Sequence, residues 1–317
     1  MDRVRSYIVG VLLCLIVIVI LVIITFRNDI YAWTLGDVRV LYTEAIRCYK
    51  SHQYEDARSL FKKIVVIDTA VYSKFILGDM YYRGLGLEQP DYKKAFSLFK
   101  ESAELNNTDA HNNLGIMYLL GQGVASDNRK AFYHFNYGAI NSNPQAQVCL
   151  GTMYRRGLGT VKDSRKAFEW YQRASAHGNA DGMNNLGYMY ANGLGTKMNA
   201  EMAMYWYRKA ASQNHAKAQY NIGALYSEGR GCEKDLKKCA EWLMKSASQG
   251  EVAAQFNLGN MYYLGKGVER DFLQAEFWYR RAVEQGHRNA KRFLDFLEKQ
   301  MAISELDSNF TVRLIGD

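Results

Sequence analysis

LGDMYYRGLG (Leu77–Gly86), LGIMYLLGQG (Leu114–Gly123), LGTMYRRGLG (Leu150–Gly159), LGYMYANGLG (Leu186–Gly195), IGALYSEGRG (Ile222–Gly231) and LGNMYYLGKG (Leu258–Gly267) are six versions of one decapeptide. Their lead glycines, Gly78, Gly115, Gly151, Gly187, Gly223 and Gly259, are spaced by 37 residues once and by 36 four times. A period in this range is the mark of a stack of two-helix units, a solenoid in which each unit buries its apolar face against its neighbours.

Each unit splits into two helical patterns. In the third copy Ala146, Leu150, Gly151, Met153 and Tyr154 recur at three- and four-residue steps and so share one helix face. Gly151 falls mid-helix, where glycine costs ~1 kcal/mol relative to alanine. Repetition of that cost in every copy predicts close approach of a neighbouring helix, with no room for a Cβ. The following G-x-G, such as Gly157 and Gly159, reads as a helix stop in the left-handed conformation. Asp91, Asp127, Asp163, Asn199, Asp235 and Asp271 then fall where the second helix needs an N-cap. That helix is marked by Ala95, Ala131, Ala167, Ala203, Ala240 and Ala275 and by an aromatic patch: Phe99, Phe135, Trp170-Tyr171, Trp206-Tyr207 and Trp278-Tyr279. The fifth copy departs, carrying Leu243-Met244 after an early Trp242.

The pattern A-x-x-x-L-G-x-M-Y-x-x-G-x-G-V-x-x-D-x-x-K-A-x-x-W-Y resembles the Sel-one-like repeat, a relative of the tetratricopeptide repeat. The resemblance covers Lys74 to Gly286, about two thirds of the chain. It implies an all-α fold, a right-handed α/α superhelix of tandem two-helix repeats, whose first helices line a concave surface. The expected layout is a short flank at 1–6, a transmembrane anchor at 7–26, a degenerate first helical pair at 38–72, six repeats at 73–288, a capping helix at 289–306 and a tail at 307–317.

The anchor is read from Tyr7–Phe26, twenty residues without a charge. At about 1.5 Å per residue such a helix spans a bilayer core of about 30 Å. No A-x-A cleavage site follows it, which favours an uncleaved anchor over a signal peptide. Arg3 and Arg5 on one side and Arg27 and Arg39, offset by Asp29 and Asp37, on the other lean by about one charge to an N-terminus inside and repeats outside the cytoplasm. In a bacterium that is an inner-membrane protein with periplasmic repeats. The chain carries a formal net charge of +8, but both signs are interspersed, as on an ordinary solvated surface. No nucleic-acid partner is expected.

Catalytic groupings are missing from the sequence: there is no H-E-x-x-H and no G-x-S-x-G. His177, His215 and His287 fall at inter-repeat turns and read as polar turn residues. The six G-x-G stretches lie between helices rather than after a strand, so they read as helix ends and not as phosphate cradles. Trp170, Trp206 and Trp278 read as core. No C-x-x-C suggests zinc. Cys232 and Cys239 straddle a turn and admit a disulfide in an oxidising compartment; Cys149, on a helix beside Leu150, is expected to be buried and inert. No enzyme, metal or cofactor is therefore expected.

What remains is a ladder. The residue before the Leu-Gly or Ile-Gly pair is Asn113, Asn185, Asn221 and Asn257 in four copies, with Ile76 and Cys149 in the others. An asparagine offers both donor and acceptor, and pairs equally well with the backbone of a bound segment or with a neighbouring helix. Three and seven residues further along, the sequence varies: Asp79/Arg83, Ile116/Leu120, Thr152/Arg156, Tyr188/Asn192, Ala224/Glu228 and Asn260/Leu264. A constant spine with variable neighbours suits recognition of a protein or peptide, with Asn113, Asn185, Asn221, Asn257, Tyr188 and Arg156 as the candidate contacts. The resemblance implies an adaptor or scaffold in the bacterial envelope; an immunity protein against a type VI phospholipase toxin and an endoplasmic-reticulum quality-control adaptor are its other implications.

Overall fold

Each decapeptide ends one helix and sets the angle of the next. In the third copy the helix closes on Gly157, whose φ is +73° and whose N–H donates to Met153 O. The chain then folds back so that Asp163 N donates to Tyr154 O at 2.8 Å. Asp163 Oδ1 accepts from Lys166 N, three residues on, and starts the second helix. The same closure recurs at Asp91, Asp127, Asn199, Asp235 and Asp271, and every one of these side chains caps as its sequence position suggests.

The computed structural model describes residues 38–67 and 71–315; the expected anchor at 7–26 lies outside them. Among the described residues no helix is long and apolar enough to cross a membrane. They form an all-α solenoid of tandem helical repeats, in two units divided between Tyr137 and Gly138. The first unit carries α1 (38–50), α2 (Tyr54–Ile67), α3 (Val71–Arg83), α4 (Tyr92–Glu104), α5 (Thr108–Leu120) and most of α6 (Asn128–Ile140). The second carries α7 (Pro144–Arg156), α8 (Ser164–Ala176), α9 (Ala180–Asn192), α10 (Ala200–Ala211), α11 (Ala216–Glu228), α12 (Leu236–Ser248), α13 (Val252–Leu264), α14 (Phe272–Glu284) and α15 (Arg288–Ile315). Odd-numbered helices from α3 to α13 open a repeat and are called A helices here; their even-numbered partners are B helices.

Within a repeat the A and B helices pack through the mid-helix glycine. A Cβ on Gly115 would lie 2.6 Å from the Phe135 ring, on Gly151 2.8 Å from Tyr171, on Gly187 2.8 Å from Tyr207 and on Gly259 2.6 Å from Tyr279. Those rings are 0–3% exposed, so each contributes about 1.5–3 kcal/mol through burial, and the glycine is what admits it. The two residues of the W-Y pair separate accordingly. Tyr171 points inward, whereas Trp170 is only half-buried and carries Arg173 4.4 Å above its ring. Trp206 is half-buried too, and of the three tryptophans expected in the core only Trp278 reaches it, at 5% exposure.

Successive repeats are locked by the second glycine of G-x-G. Its φ lies between +67° and +74° in all six copies. A Cβ on Gly123 would lie 2.3 Å from Tyr92 O, on Gly195 2.2 Å from Ser164 O and on Gly267 2.1 Å from Leu236 O. Each acceptor belongs to the first residue of the preceding repeat's B helix. Gly86 meets Glu55 N and Tyr54 C in the same way, so α1 and α2 stand to the first repeat as one repeat stands to the next. Their inner face is Ala45, Ala57, Phe61 and Ile64, each 0% exposed.

Polar stitches complete the stack. Gln147, Gln219 and Gln255 are 2–4% exposed. Gln147 donates to Ala139 O and Gln255 to Ala247 O, reaching back to the preceding B helix, while their carbonyls meet His177 and Gln285 from the B helix of their own repeat. The A helices have N-caps too: Asn107, Asn143, Asn179 and, through Nδ1, His215. His287 caps Ala290 N likewise. His215 and His287, expected as mere polar turn residues, thus start helices, whereas Glu251 makes no side-chain cap bond. At the C-terminal end α15 buries Ala290, Leu294 and Leu297. It runs on to Ile315, past the expected boundary at Leu306, because no glycine or proline interrupts the chain before Gly316.

Cys232 and Cys239, whose spacing admits a disulfide, are both free thiols. Cys232 Sγ turns to the carbonyls of Leu225 and Arg230, while Cys239 Sγ lies inward, 3.8 Å from Met261 Sδ. Cys149 is half-buried, and desolvation pushes its thiol up to about 12, which keeps it protonated and inert at neutral pH.

Candidate functional site

The candidate site is the A-helix face. The repeating chemistry beside it is structural. Lys94, Lys130, Lys166 and Lys238 pair with the capping Asp91, Asp127, Asp163 and Asp235. Each also stands 5.3–5.6 Å over the tyrosine that follows methionine or leucine in its own repeat, namely Tyr81, Tyr118, Tyr154 and Tyr226. This explains the recurring D-x-x-K. Hydrogen bonding to Lys94 holds the Asp91 carboxyl below its ordinary range. Exposed pairs of this kind are screened by solvent, so they orient the hairpin more than they stabilise it.

The ladder asparagines are all half-buried. Asn113 is on α5 in the first unit; Asn185, Asn221 and Asn257 are on α9, α11 and α13 in the second. Asn221 Nδ2 donates to Asn184 Oδ1 at 2.9 Å, and Asn257 Nδ2 reaches Tyr220 Oη at 3.4 Å. In each case the partner is the residue before the preceding copy's asparagine. These two contacts tie α9 to α11 and α11 to α13 side by side.

The variable positions divide into two rows. Seven residues beyond the spine, Arg83, Leu120, Arg156, Asn192, Glu228 and Leu264 are exposed in every copy. Three residues beyond it, most are half-buried and several serve their own repeat. Thr152 Oγ1 meets Tyr171 Oη at 3.0 Å, and Asn260 Oδ1 accepts from Tyr279 Oη at 2.7 Å. Asp79 pairs with Arg83 at 2.9 Å, and burial nevertheless raises its carboxyl above the usual range. Tyr188 stands out at 41% exposure. The cation above its ring is Arg155, at 5.8 Å; Arg156, its neighbour in sequence, faces solvent at the end of α7.

Between α11 and α13 the face opens into a cleft of about 310 Å³. Its floor is Cys239, Leu243 and Met261, and its rim includes Glu228, Asn257 and Lys266. The cleft coincides with the fifth repeat's departures from the pattern. Leu243 stands where other copies have an aromatic ring, and a Cβ on Gly223 would find its nearest atom at 3.2 Å, the loosest contact of the series. The sequence flagged those substitutions but carried no sign of a cleft, which requires two adjacent A helices to be placed.

A family model, the Sel1 repeat, matches residues 71–107, 108–143, 144–179, 180–215, 216–251 and 252–287. The chain belongs to the Sel1 repeat family. Among solved structures it is similar to c5321, a protective antigen present in uropathogenic Escherichia coli strains, at 31% identity and TM-score 0.65, over 77% of this chain and 52% of that one. It is also similar to a Sel1 repeat protein from Oxalobacter formigenes, at 25% identity and TM-score 0.71, over 76% and 96% of the two chains. A curated relative, the ERAD-associated E3 ubiquitin-protein ligase component HRD3B of Arabidopsis thaliana, is 39% identical over 51 residues, 16% of this chain. The Sel1 chain thus spans about half the length of the E. coli antigen and 8% of the plant protein.

Proposed function

We propose that this Sel1 repeat protein is a non-catalytic binding module that captures a protein or peptide along its A-helix face. The observation that carries this reading is the pairing of a fixed spine with an exposed row. Within each unit glycines, caps and amide stitches hold the A helices in register, while the residue seven beyond the spine is exposed in all six copies and differs in charge and size among them. Such a row is dispensable for folding and supplies side-chain identity to a contact surface. Asn185, Asn221, Asn257, Tyr188 and Arg156 belong to the face, and an asparagine amide suits the backbone of a bound segment.

The finer parts of the proposal rest on sequence. Tyr7–Phe26 anchors the chain in a membrane, and the balance of arginines puts the repeats on the far side from the cytoplasm, as an envelope adaptor. Alkaline carbonate extraction tests the first point and protease accessibility in spheroplasts the second. Release by carbonate refutes the anchor.

The test of the binding reading is crosslinked capture of the full chain from its own cells, comparing wild type with Arg156→Ala/Asn192→Ala/Glu228→Ala. These residues are exposed, so the triple variant keeps the fold. Loss of the dominant partner with unchanged thermal stability supports the reading. A partner set that is identical for both proteins refutes it. A single toxin as partner makes the protein an immunity factor; a set of envelope proteins makes it a scaffold.

A further inference from the structure

Five of the six repeats place an aromatic ring against the mid-helix glycine of their own A helix: Phe99, Phe135, Tyr171, Tyr207 and Tyr279. In the third and sixth repeats the ring's hydroxyl is held by the next A-helix residue, Thr152 or Asn260. The fifth repeat has Leu243 in place of the ring and Ala224 in place of the hydroxyl's partner. Both substitutions remove volume at the same spot, and both residues line the cleft between α11 and α13. The wall contributed by α13 adds Met261, whose sulfur lies 3.8 Å from Cys239 Sγ.

We propose that this cleft is an anchor pocket for an aromatic side chain of the protein partner. It rests on the reading of the A-helix face as a docking surface and names what one part of that surface takes. The incoming ring stands beside the position where the other repeats hold their own. Three features of the cleft match it. The volume suffices: a protein cavity of about 150 Å³ already holds benzene, against about 310 Å³ here. The floor is soft and polarisable, and sulfur against an aromatic edge is worth about 0.3–1.5 kcal/mol. Asn257, Asn260 and Glu228 at the margin offer acceptors to a phenolic hydroxyl or a backbone amide, so that the ring's polar end need not be stripped of hydrogen bonds. Aromatic side chains seated in pockets are also enriched among binding hot spots.

The full chain, labelled with ¹³C at its methionine methyls, is titrated with p-cresol, the tyrosine side-chain analogue, and with 4-methylcyclohexanol, its saturated counterpart. The Met261 signal, assigned through Met261→Leu, is expected to shift saturably with p-cresol and at least several-fold more weakly with the saturated alcohol. Leu243→Tyr restores the ring of the sibling repeats; it is expected to raise the melting temperature and to abolish the shift. Ala224→Leu fills the cleft from α11 and serves as a second blocked variant should Leu243→Tyr not fold. A displayed library of random twelve-residue peptides is then selected on wild type and on the blocked variant. Peptides retained by wild type are expected to share one aromatic position and to lose at least tenfold in retention on the blocked variant. An unmoved Met261 signal, equal response to the two alcohols, or equal retention on both proteins overturns the pocket, the last leaving the docking face standing. Failure of wild type to retain any peptide overturns the docking face and the pocket with it.

Discussion

Replacing the mid-helix glycines by alanine, one repeat at a time, separates two opposed effects whose balance the structure fixes. Alanine in a helix interior gains about 1 kcal/mol over glycine in every repeat alike. Against this stands the new methyl group. At Gly259 it would lie 2.6 Å from Tyr279 Cε1, and at Gly115 2.6 Å from Phe135 Cε1. Carbon atoms sit comfortably at about 3.5–4.0 Å, so the ring must retreat by about 1 Å. Tyr279 and Phe135 are 0% and 1% exposed, and a close-packed interior offers nowhere to go. Overpacking of this kind costs about 1–3 kcal/mol, which leaves Gly115→Ala and Gly259→Ala destabilised by up to about 2 kcal/mol. At Gly223 the nearest atoms are Leu243 Cγ at 3.2 Å, an aliphatic carbon beside a cleft that can take up a shift of a few tenths of an ångström, and Cys239 O at 3.3 Å, matching the carbonyl that Gly151 and Gly187 also meet at 3.2–3.3 Å. The cost there falls below the helix gain, so Gly223→Ala is neutral or stabilising by up to about 1 kcal/mol. Urea unfolding of the full chain, followed by tyrosine and tryptophan fluorescence, measures the series. Gly259→Ala/Tyr279→Leu, whose leucine copies that of the fifth repeat, is expected to be more stable than the sum of the single changes predicts. The reasoning is refuted if Gly223→Ala loses as much stability as Gly259→Ala, or if the double variant shows no coupling.

The second glycine of each loop is a harsher site. Gly195→Ala combines about 1–2 kcal/mol for a left-handed residue with a Cβ 2.2 Å from Ser164 O, whereas Gly178→Ala meets nothing within 4 Å and carries the backbone cost alone; melting temperatures of the two should differ by many degrees, and similar values would disprove the repeat-locking contact. Glu251→Asn supplies the cap bond that Asn107, Asn143 and Asn179 make and Glu251 does not; a gain of about 0.5–1 kcal/mol in unfolding free energy is expected, and no gain would rule out a capping deficit. In the first unit His111 and His134 face each other at 3.0 Å between rings of Tyr118 and Tyr137. Burial, with the neighbouring His111 second, lowers His134 to about 4, and burial lowers His111 as well. The folded protein therefore binds fewer protons than the unfolded chain between pH about 6.5 and 4, and stability falls as pH drops through that window. Thermal melts of wild type and His134→Gln should separate at pH 7 and converge as the pH falls towards about 4; a wild-type profile flat across the window would refute the assignment.

The periodic glycines, the capping Asp and Asn residues and the alternating helix faces specified two-helix repeats from sequence alone, because each is a short-range constraint: a helix stops, starts or shows an apolar side within a few residues. The lead glycine could even be assigned its close contact, since no local preference explains a glycine kept in mid-helix. What needed tertiary structure was every contact between one repeat and the next. The second glycine looked like a further helix stop until it was seen against the carbonyl of the previous B helix. His215 and His287 looked like turn residues for a different reason: their cap bonds are as local as the others, but histidine is not among the preferred N-cap residues. Cys232 and Cys239 were near enough in sequence to suggest a bond, yet one thiol turns to the loop and the other to Met261. The cleft beside Leu243 exists only because α11 and α13 lie next to each other. A sequence states what each residue prefers. Where a missing ring leaves room depends on the neighbour across the gap, which is set by packing.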